Sequence, residues 1–353
     1  MFKPRFSITP GMTRALMQIE AAREAVSTAP IHLEILQHLR ETARLHSAHY
    51  STQIEGNRLT LPEVAAAQRG EKLPGRERDE IEVRNHFRAF AYMERLSESD
   101  TPLTEAEIQT LHGLVLHGKE RPTTYRDVQN VIRESGSGRI VYLPPEAPDV
   151  PELMTAMVAW VNAELASGEL PVPIIAGLAH YEFATIHPYL DGNGRTARLL
   201  TTLILRRAGY GLKGIYSLDE QYAKDLAAYY QALSIGHHNY YEGRAEADLT
   251  SFVGYFLTGV AEAFQAIKLA AGKGADAARD ESAALRNLDA RQRKLVPLFR
   301  KQGSATAREI AMALKLSPRT VVALCREWVV SGFLEYADPS RKARAYRLKE
   351  IEK

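Results

Sequence analysis

A twelve-residue stretch, HPYLDGNGRTAR at 187–198, constrains this chain more than any other part of it. Gly192 and Gly194 bracket an asparagine just before a segment with helical periodicity, 194–208. Glycine lets the backbone approach an anion closely, and the free N–H groups of a first helical turn point at such an anion. The stretch therefore predicts a phosphate-binding turn that connects a preceding helix, 172–187, to the next one.

The side chains around these glycines have the chemistry needed to hold and cut a nucleoside triphosphate. Arg195 and Arg198 lie three residues apart on one helix face, and guanidinium groups bind phosphate through two donors at once. Asp191 offers a carboxylate of the kind that holds Mg²⁺ between phosphates. His187 is placed to accept a proton near neutral pH. An isolated Gly-x-Gly turn is usually only a turn, but here the parts are contiguous and mutually consistent.

Helical periodicity covers most of the chain and predicts a mainly α protein. Helices are expected at 31–55, 77–97, 104–117, 151–167, 172–187, 194–208, 218–236 and 248–270, with a short helix opened by the capping box at 60–63. Residues 133–142 differ, because a Gly-Ser turn there precedes β-branched and aromatic residues. This segment predicts a small β-hairpin, which Pro144 and Pro145 would end.

The C-terminal part of the chain is predicted to form a separate basic unit. Residues 271–287 are rich in Ala, Gly and Asp and lack an apolar face, so we expect a linker. Three helices follow, at 290–302, 306–314 and 318–331, and then two strands, Leu334–Tyr336 and Ala345–Leu348. This order of elements is typical of a winged helix.

Charge indicates what this unit would bind. Residues 288–353 hold 15 Lys and Arg against 7 Asp and Glu, whereas the rest of the chain has a net charge of −6. A basic unit on an acidic body favours contact with an anionic partner, and DNA is the first candidate. The candidate contacts are Arg319, Thr320 and Arg326 on the third helix and Arg341, Lys342 and Arg344 on the wing. Protein interaction or dimerisation is the alternative role.

The single cysteine, Cys325, excludes an internal disulfide and suits a reducing compartment. The first residues lack the apolar run of a signal peptide, and no stretch of 18 apolar residues exists, so we expect a cytoplasmic protein without a membrane partner.

The stretch 187–198 resembles the signature of the Fic family (filamentation induced by cyclic AMP), His-Pro-Phe-x-Asp/Glu-Gly-Asn-Gly-Arg-x-x-Arg. Tyr189 stands where the family usually has Phe, which keeps an aromatic anchor and adds a hydroxyl. The resemblance extends over roughly residues 30–265 and implies an all-α fold with a small β-hairpin flap. The domains expected are an N-terminal helical region at 1–110, a Fic core at 111–270, the linker at 271–287 and a winged helix at 288–353.

The resemblance implies adenylylation, in which AMP passes from ATP to a Ser, Thr or Tyr hydroxyl of a target protein, or of the enzyme itself, and pyrophosphate is released. On that pattern His187 is the general base, Asp191 orients Mg²⁺, and Arg195 and Arg198 hold the outer phosphates. The flap would align the target segment by strand addition. The nucleotide-binding positions implied are Asp191, Gly192, Asn193, Gly194, Arg195, Thr196, Ala197 and Arg198 in the motif, Arg139, Ile140, Val141 and Tyr142 in the flap, and Tyr229, Tyr230 and His237 near the adenosine.

A second segment, STQIEGN at 51–57, resembles the family's inhibitory motif, Ser/Thr-x-x-x-Glu-Gly/Asn. On that pattern Glu55 would pair with Arg198 and so compete with a phosphate for the same guanidinium. The residues implied for inhibition are Ser51, Glu55, Gly56 and Asn57.

Other readings stay open. Removal of AMP from the target, or transfer of phosphate or another nucleotide, would use the same site. The glycines at 192 and 194 argue against the phosphotransferase branch, whose members have bulkier residues in this turn. A DNA-binding regulator whose core only senses ATP would not need His187 and Asp191. A homodimer is a further alternative.

Overall fold

The computed structural model describes residues 2–133, 138–338 and 345–349, and of 273–287, 290, 293, 297, 300 and 301 it describes the backbone only. The turn of the predicted hairpin at 134–137 and the wing residues Arg341, Lys342 and Arg344 lie outside the described residues. The chain divides into two compact units, Met1–Ala275 and Asp276–Lys353.

The first unit is built from helices, as predicted. They are α1 (Pro10–Thr28), α2 (Leu33–Ile54), α3 (Leu61–Gln68), α4 (Glu77–Ser97), α5 (Glu105–His117), α6 (Val150–Ser167), α7 (Val172–Ile186), α8 (Asn193–Arg207), α9 (Asp219–Lys224), α10 (Leu226–Leu233) and α11 (Thr250–Asn287). Local sequence sets several of their ends. At the start of α5 the Thr104 side chain accepts from the Glu107 backbone N–H while the Glu107 carboxylate accepts from that of Thr104, a reciprocal cap that fixes the helix start.

Helices α7 and α8 lie at the centre of the first unit. Almost every residue of α7 is buried, and so are most residues of α8 up to Leu205. A helix that is apolar on all sides must be surrounded by others, and here α4, α5 and α6 pack around the pair. The loop 187–192 therefore connects two buried helices, which hold both of its ends in place.

The helices of the first unit differ from the sequence predictions in two places. Helix α1 was not predicted, although Thr9 caps it, Pro10 opens it and Met12, Ile19 and Val26 form its buried face. The single helix expected at 218–236 is two helices, because Asp225 has non-helical backbone angles (φ −141°, ψ 82°) and its side chain accepts from the Ala228 N–H to begin α10. Asp is a strong N-cap residue, and this capping overrides the continuous apolar pattern.

The stretch predicted as a linker, 271–287, is also helical. Helix α11 continues through it to Asn287, and the division between the two compact units falls within it. Alanine has the highest helix propensity, so an Ala-rich segment can stay helical without an apolar face to bury.

The predicted hairpin is present. Strands β1 (Ile132–Arg133) and β2 (Ile140–Tyr142) pair antiparallel, with Ile132 opposite Tyr142 and Arg133 opposite Ile140. The Arg133 guanidinium donates to the Gly138 carbonyl over 2.8 Å, which ties the two sides of the hairpin together.

The second unit contains three helices and a small antiparallel sheet. The elements are α12 (Ala290–Gln302), β3 (Ala305–Thr306), α13 (Ala307–Leu314), α14 (Pro318–Val330), β4 (Leu334–Asp338) and β5 (Ala345–Leu348), with the strands in the order β3-β5-β4. Its core includes Leu295, Ile310 and Trp328, and Cys325 is fully buried among them. Strand β3 was not expected from the sequence, and the winged-helix assignment stays a prediction.

None of the helices in the described parts of the chain is long and apolar enough to cross a lipid bilayer.

Candidate active site

The loop between α7 and α8 is closed by its own asparagine. Gly192 takes a left-handed conformation (φ 78°) and caps α8, a backbone geometry that glycine adopts without strain. The Asn193 side chain accepts from the Tyr189 N–H over 3.0 Å and donates to the Tyr189 carbonyl over 2.8 Å. Asn193 thus shapes the loop through its side chain, and the first turn of α8 keeps its backbone N–H groups for an anion.

His187 ends α7 in a left-handed conformation of its own, with φ 51°. Burial lowers the pKa of its imidazole to about 4. Its Nδ1 lies 3.4 Å from the Ala184 carbonyl, which can only accept, so this contact favours the hydrogen on Nδ1 and a free lone pair on Nε2. His187 is therefore neutral near pH 7 and can take up a proton.

Arg126 holds the backbone of His187 in place, a contact that was not predicted from the sequence. The buried guanidinium donates from Nε to the His187 carbonyl over 3.0 Å and also to the carbonyls of Val128 and Pro145. Its backbone N–H donates to the Pro188 carbonyl over 2.9 Å. One side chain thereby links the His187 turn to the segment that follows the hairpin.

His112 supports the other side of the loop. Its Nε2 lies 2.8 Å from the Asp191 carbonyl, and its ring stacks face to face on Tyr189 with centroids 3.5 Å apart. Burial lowers the pKa of His112 to about 4, so the ring is neutral. The sequence feature that could have pointed to His112 is its position as the one histidine within the apolar segment LHGLVL of α5. Tyr189 is buried beneath this ring, and so acts as the aromatic anchor expected of that position.

Asp191 presents its carboxylate outward. The side chain is 65% exposed, and Oδ1 accepts from the Gly192 N–H (2.6 Å) and from Arg195 Nη2 (3.3 Å). Arg195 itself is buried, and among the described residues its Nε has no hydrogen-bond partner. In the described part of the chain, no group of three or more His, Cys, Asp or Glu side chains could hold a metal ion. An exposed single carboxylate suits Mg²⁺, which takes its other ligands from phosphate and water.

Arg198 connects α8 to the end of α2. Its Nη2 donates to Glu55 Oε1 (3.0 Å) and to the Ser51 carbonyl (2.8 Å), and its Nε donates to Ser51 Oγ (3.0 Å). On the other side Nε lies 3.2 Å from Asp219 Oδ1. Burial alone would lower the pKa of Arg198, but the charges of Glu55 and Asp219 outweigh it and hold the pKa above its usual value. The family resemblance implied Glu55 as a partner of Arg198 and named Ser51 only as part of the inhibitory motif, and Asp219 was not predicted.

The Glu55 carboxylate also lies directly against the first turn of α8. A Cβ atom built on Gly194 would fall 2.2 Å from Glu55 Oε1. The carboxylate thus fills the space next to the backbone N–H groups and the Arg198 guanidinium, where an anion would bind. The rest of the STQIEGN segment supports it, because Asn57 is buried and donates to the Asp79 carbonyl (3.0 Å) and Glu82 (3.2 Å) of α4. Gly56, at φ 93°, provides the turn between them.

Replacing Gly194 with alanine is expected to be less favourable in the wild-type chain than in a Glu55→Gly background. In the wild type the new methyl group must displace the carboxylate from Arg198. Without the carboxylate, the helix propensity of alanine remains, a gain of up to about 1 kcal/mol. We expect a coupling of about 1 kcal/mol in a double-mutant cycle measured by urea denaturation. Strictly additive changes would contradict this position of Glu55.

Some side chains of the hairpin are anchored on the helical core, and others are exposed. Tyr142 is buried and its hydroxyl donates to the Thr185 carbonyl of α7 over 2.9 Å, whereas Ile140 is half exposed. Arg139 is exposed, and the Val141 carbonyl accepts from Nδ1 of His238 over 2.8 Å. His238 was not predicted. Its neighbour His237, which was, has an exposed side chain.

The two adjacent tyrosines have different surroundings. Tyr229 is only 3% exposed and its hydroxyl lies 2.9 Å from Nε2 of His180 in the core. Tyr230 is 46% exposed and its hydroxyl donates to the Ile54 carbonyl over 3.3 Å, beside Glu55. Thr196 and Ala197 are fully buried in α8. Of these residues, Tyr230 is therefore the one with a ring face available next to the loop.

Residues 102–205, which include the whole 187–198 loop, match the sequence model of the Fic/DOC family. This chain carries a Fic domain. The resemblance seen in the sequence is thereby confirmed, while Glu55 lies outside the matched range of the Fic domain.

Known proteins extend this likeness. This chain is 31% identical over 199 residues to the protein adenylyltransferase Fic of Drosophila willistoni, and the match covers 56% of this chain and 39% of that protein. The Drosophila virilis protein of the same name is also 31% identical, covering 56% and 40%. The chain thus spans about two fifths of the length of these relatives.

Solved structures show the same fold. A Fic family protein from Desulfovibrio desulfuricans G20 superimposes with a TM-score of 0.66 at 24% identity and covers 100% of both chains. Fic-1 from C. elegans has a TM-score of 0.60 at 25% identity and covers 74% of this chain and 73% of its own.

Proposed function

We propose that this protein is an autoinhibited protein adenylyltransferase. It transfers AMP from ATP to a Ser, Thr or Tyr hydroxyl of a target protein, or of itself, and releases pyrophosphate. The observation that carries the proposal is the Glu55 carboxylate on Arg198 and against Gly194, beside the loop that also bears His187. The name printed for the Drosophila relatives, protein adenylyltransferase, supports the reaction class.

In the proposed reaction the hydroxyl oxygen attacks the α-phosphorus of ATP, and the bond from that phosphorus to the bridging oxygen of pyrophosphate breaks. His187 takes the hydroxyl proton on Nε2, which its low pKa leaves unprotonated. Arg195 and Arg198 hold the outer phosphates together with the first-turn N–H groups of α8. Asp191 would hold Mg²⁺, which neutralises charge on the phosphates when it is bound.

Autoinhibition follows from competition for one guanidinium. In the described structure Glu55 takes an Nη2 donor of Arg198 that a terminal phosphate would otherwise use. ATP could then bind with its phosphates displaced from the line of attack. A displacement of about 1 Å can lower the rate about 100-fold.

The second unit is proposed to contact DNA. Arg319, Thr320 and Arg326 are exposed on α14, as a recognition helix requires. Binding of a protein partner or a second copy of the chain is the alternative, and cytoplasmic location remains an expectation.

Labelled ATP is expected to distinguish the transfer reactions. Incubation of the Glu55→Gly protein with ATP labelled at the α-phosphate should place label on protein, whereas label at the γ-phosphate should not. Label from the γ-position alone would indicate phosphate transfer. Protein labelled from neither position, with ATP binding intact, would favour a nucleotide sensor and contradict the proposal.

A further inference from the structure

A second charged recess lies in the first unit, at the opposite end of α8 from the candidate active site. It is an open cleft with a volume of about 440 Å³ between α2, the end of α4, the end of α8 and the turn 211–214. Small-molecule sites commonly have volumes of about 300–1,000 Å³. We call it the arginine cleft. Its cationic lining residues are Arg40, Arg44, Arg95, Arg206 and Lys213.

The charge of the arginine cleft is unbalanced. Glu94 and Glu98 are the acidic side chains in its lining, so five cations face two carboxylates. The C-terminal ends of α4 and α8 also point here and add about half a negative charge each. Arg95 also pairs with Glu120, outside the lining, over 2.7 Å, so with both helix ends counted about one positive charge remains without a counterpart.

Arg206 forms the floor of the arginine cleft and is incompletely paired. Its side chain is 8% exposed and donates from Nη1 to Glu94 Oε1 over 3.1 Å. In the described part of the chain its Nε and Nη2 form no hydrogen bond of good geometry, although the Tyr216 hydroxyl lies close enough to interact with the guanidinium, which also lies 5.1 Å from the centroid of the Phe90 ring. Glu94 is shared with Arg44, which lies 2.8 Å away. Burying a guanidinium with two donors that make no hydrogen bond of good geometry costs desolvation free energy, which a bound anion would offset.

The backbone at the rim is strained. Leu212 and Lys213 have φ values of 42° and 55°, consecutive non-glycine residues in the left-handed region. The Lys213 carbonyl accepts from Nε of Arg40 over 2.6 Å, which holds both cations at the mouth. Strain of this kind persists only where surrounding contacts enforce it, and it is frequent at ligand sites.

We propose that the arginine cleft binds a compact phosphate-bearing anion at a site separate from the nucleotide loop. The cleft combines several guanidinium donors held in place by the protein with a net positive charge. Both features suit phosphate, which accepts bidentate contacts from arginine. Arg198 and Arg206 are eight residues apart on α8, about 12 Å along the helix axis. The two sites therefore have separate lining residues on a shared helix.

Calorimetric titration without ATP tests this proposal, with inorganic pyrophosphate and glycerol 3-phosphate as separate probes at constant ionic strength. The two probes distinguish a free phosphate anion from a phosphate ester. We expect the double variant Arg40→Gln/Lys213→Gln to weaken binding about tenfold. Glu98→Gln, which removes an acidic group from the lining, should tighten it. Arg206→Gln is a second probe of the floor, with circular dichroism to confirm folding.

Two controls separate this site from the proposed active site. Arg78→Gln, exposed on α4 away from the cleft, should leave binding of both probes within about twofold, and Arg195→Gln, in the nucleotide loop, should do so for glycerol 3-phosphate. No binding of either probe to the wild type would overturn the proposal. Binding lost in Arg195→Gln but retained in Arg40→Gln/Lys213→Gln would also overturn it, because it would place the anion in the nucleotide loop.

Discussion

Replacing Glu55 with glycine is expected to raise the rate of AMP transfer to protein about 100-fold. In the wild type the Glu55 carboxylate occupies Nη2 of Arg198 and the space over Gly194. Glycine removes both obstacles, so a terminal phosphate can take the guanidinium and the α-phosphorus can reach the line of attack. The rate is measured as α-label incorporated into protein per unit time for the two proteins under identical conditions.

A matched variant separates this effect from helix loosening. Gln53→Gly places the same flexible residue in the last turn of α2, but Gln53 is exposed, and the hydrogen bonds of Arg198 to this part of the chain go to Ser51 and Glu55. We expect its transfer rate to equal that of the wild type. Glu55→Gln, which keeps the shape of the side chain and loses its charge, should fall between wild type and Glu55→Gly. Equal rates for wild type and Glu55→Gly would refute the inhibitory role.

Replacing His187 with alanine in the Glu55→Gly background is expected to abolish transfer and leave ATP binding intact. A general base contributes a factor of about 10²–10⁴ to the rate. His112, which also contacts this loop, has its Nε2 in a hydrogen bond with the Asp191 carbonyl. Because the His187 backbone is left-handed, alanine adds strain there. His187→Asn tolerates that conformation better and serves as the second variant.

The pKa of His187 gives this prediction a pH signature. With its pKa lowered to about 4, the imidazole stays unprotonated from pH 8 down to about pH 5. We therefore expect no loss of transfer rate through protonation of His187 between pH 8 and pH 6, where an ordinary histidine would titrate.

For the two His187 variants, the rate of transfer and the affinity for ATP are measured on the same preparations. If both His187 variants lost ATP binding together with transfer, His187 would be a structural residue instead.

Sequence reasoning reached furthest where neighbours along the chain determine the structure. The loop at 187–198 and the boundaries of α7 and α8 depend on local glycines and periodicity, and they were predicted to within a residue or so. The hairpin was predicted on the same basis. By contrast, Asp225 interrupts an apolar pattern through one capping contact, which periodicity does not reveal.

The missed site residues share a different cause. Arg126 contacts His187 from 61 positions earlier in the chain, and His112 contacts Asp191 from 79 positions earlier. Asp219 reaches Arg198 from another helix. Such contacts arise when distant segments, helical for His112 and Asp219 and irregular for Arg126, pack together. No local pattern in the sequence distinguishes these side chains from ordinary charged or core residues.

The anchoring of Asn57 on α4 limits how Glu55 can leave Arg198. Because Ser51 and Asn57 are both held in place, the end of α2 cannot fray easily, and the carboxylate departs by rotation about its own side-chain bonds. Such rotations take picoseconds to nanoseconds. Occupancy of Arg198 would then be a rapid equilibrium that shifts with the concentration of nucleotide. The degree of inhibition would accordingly vary continuously with nucleotide concentration. Its release would need no large helix movement.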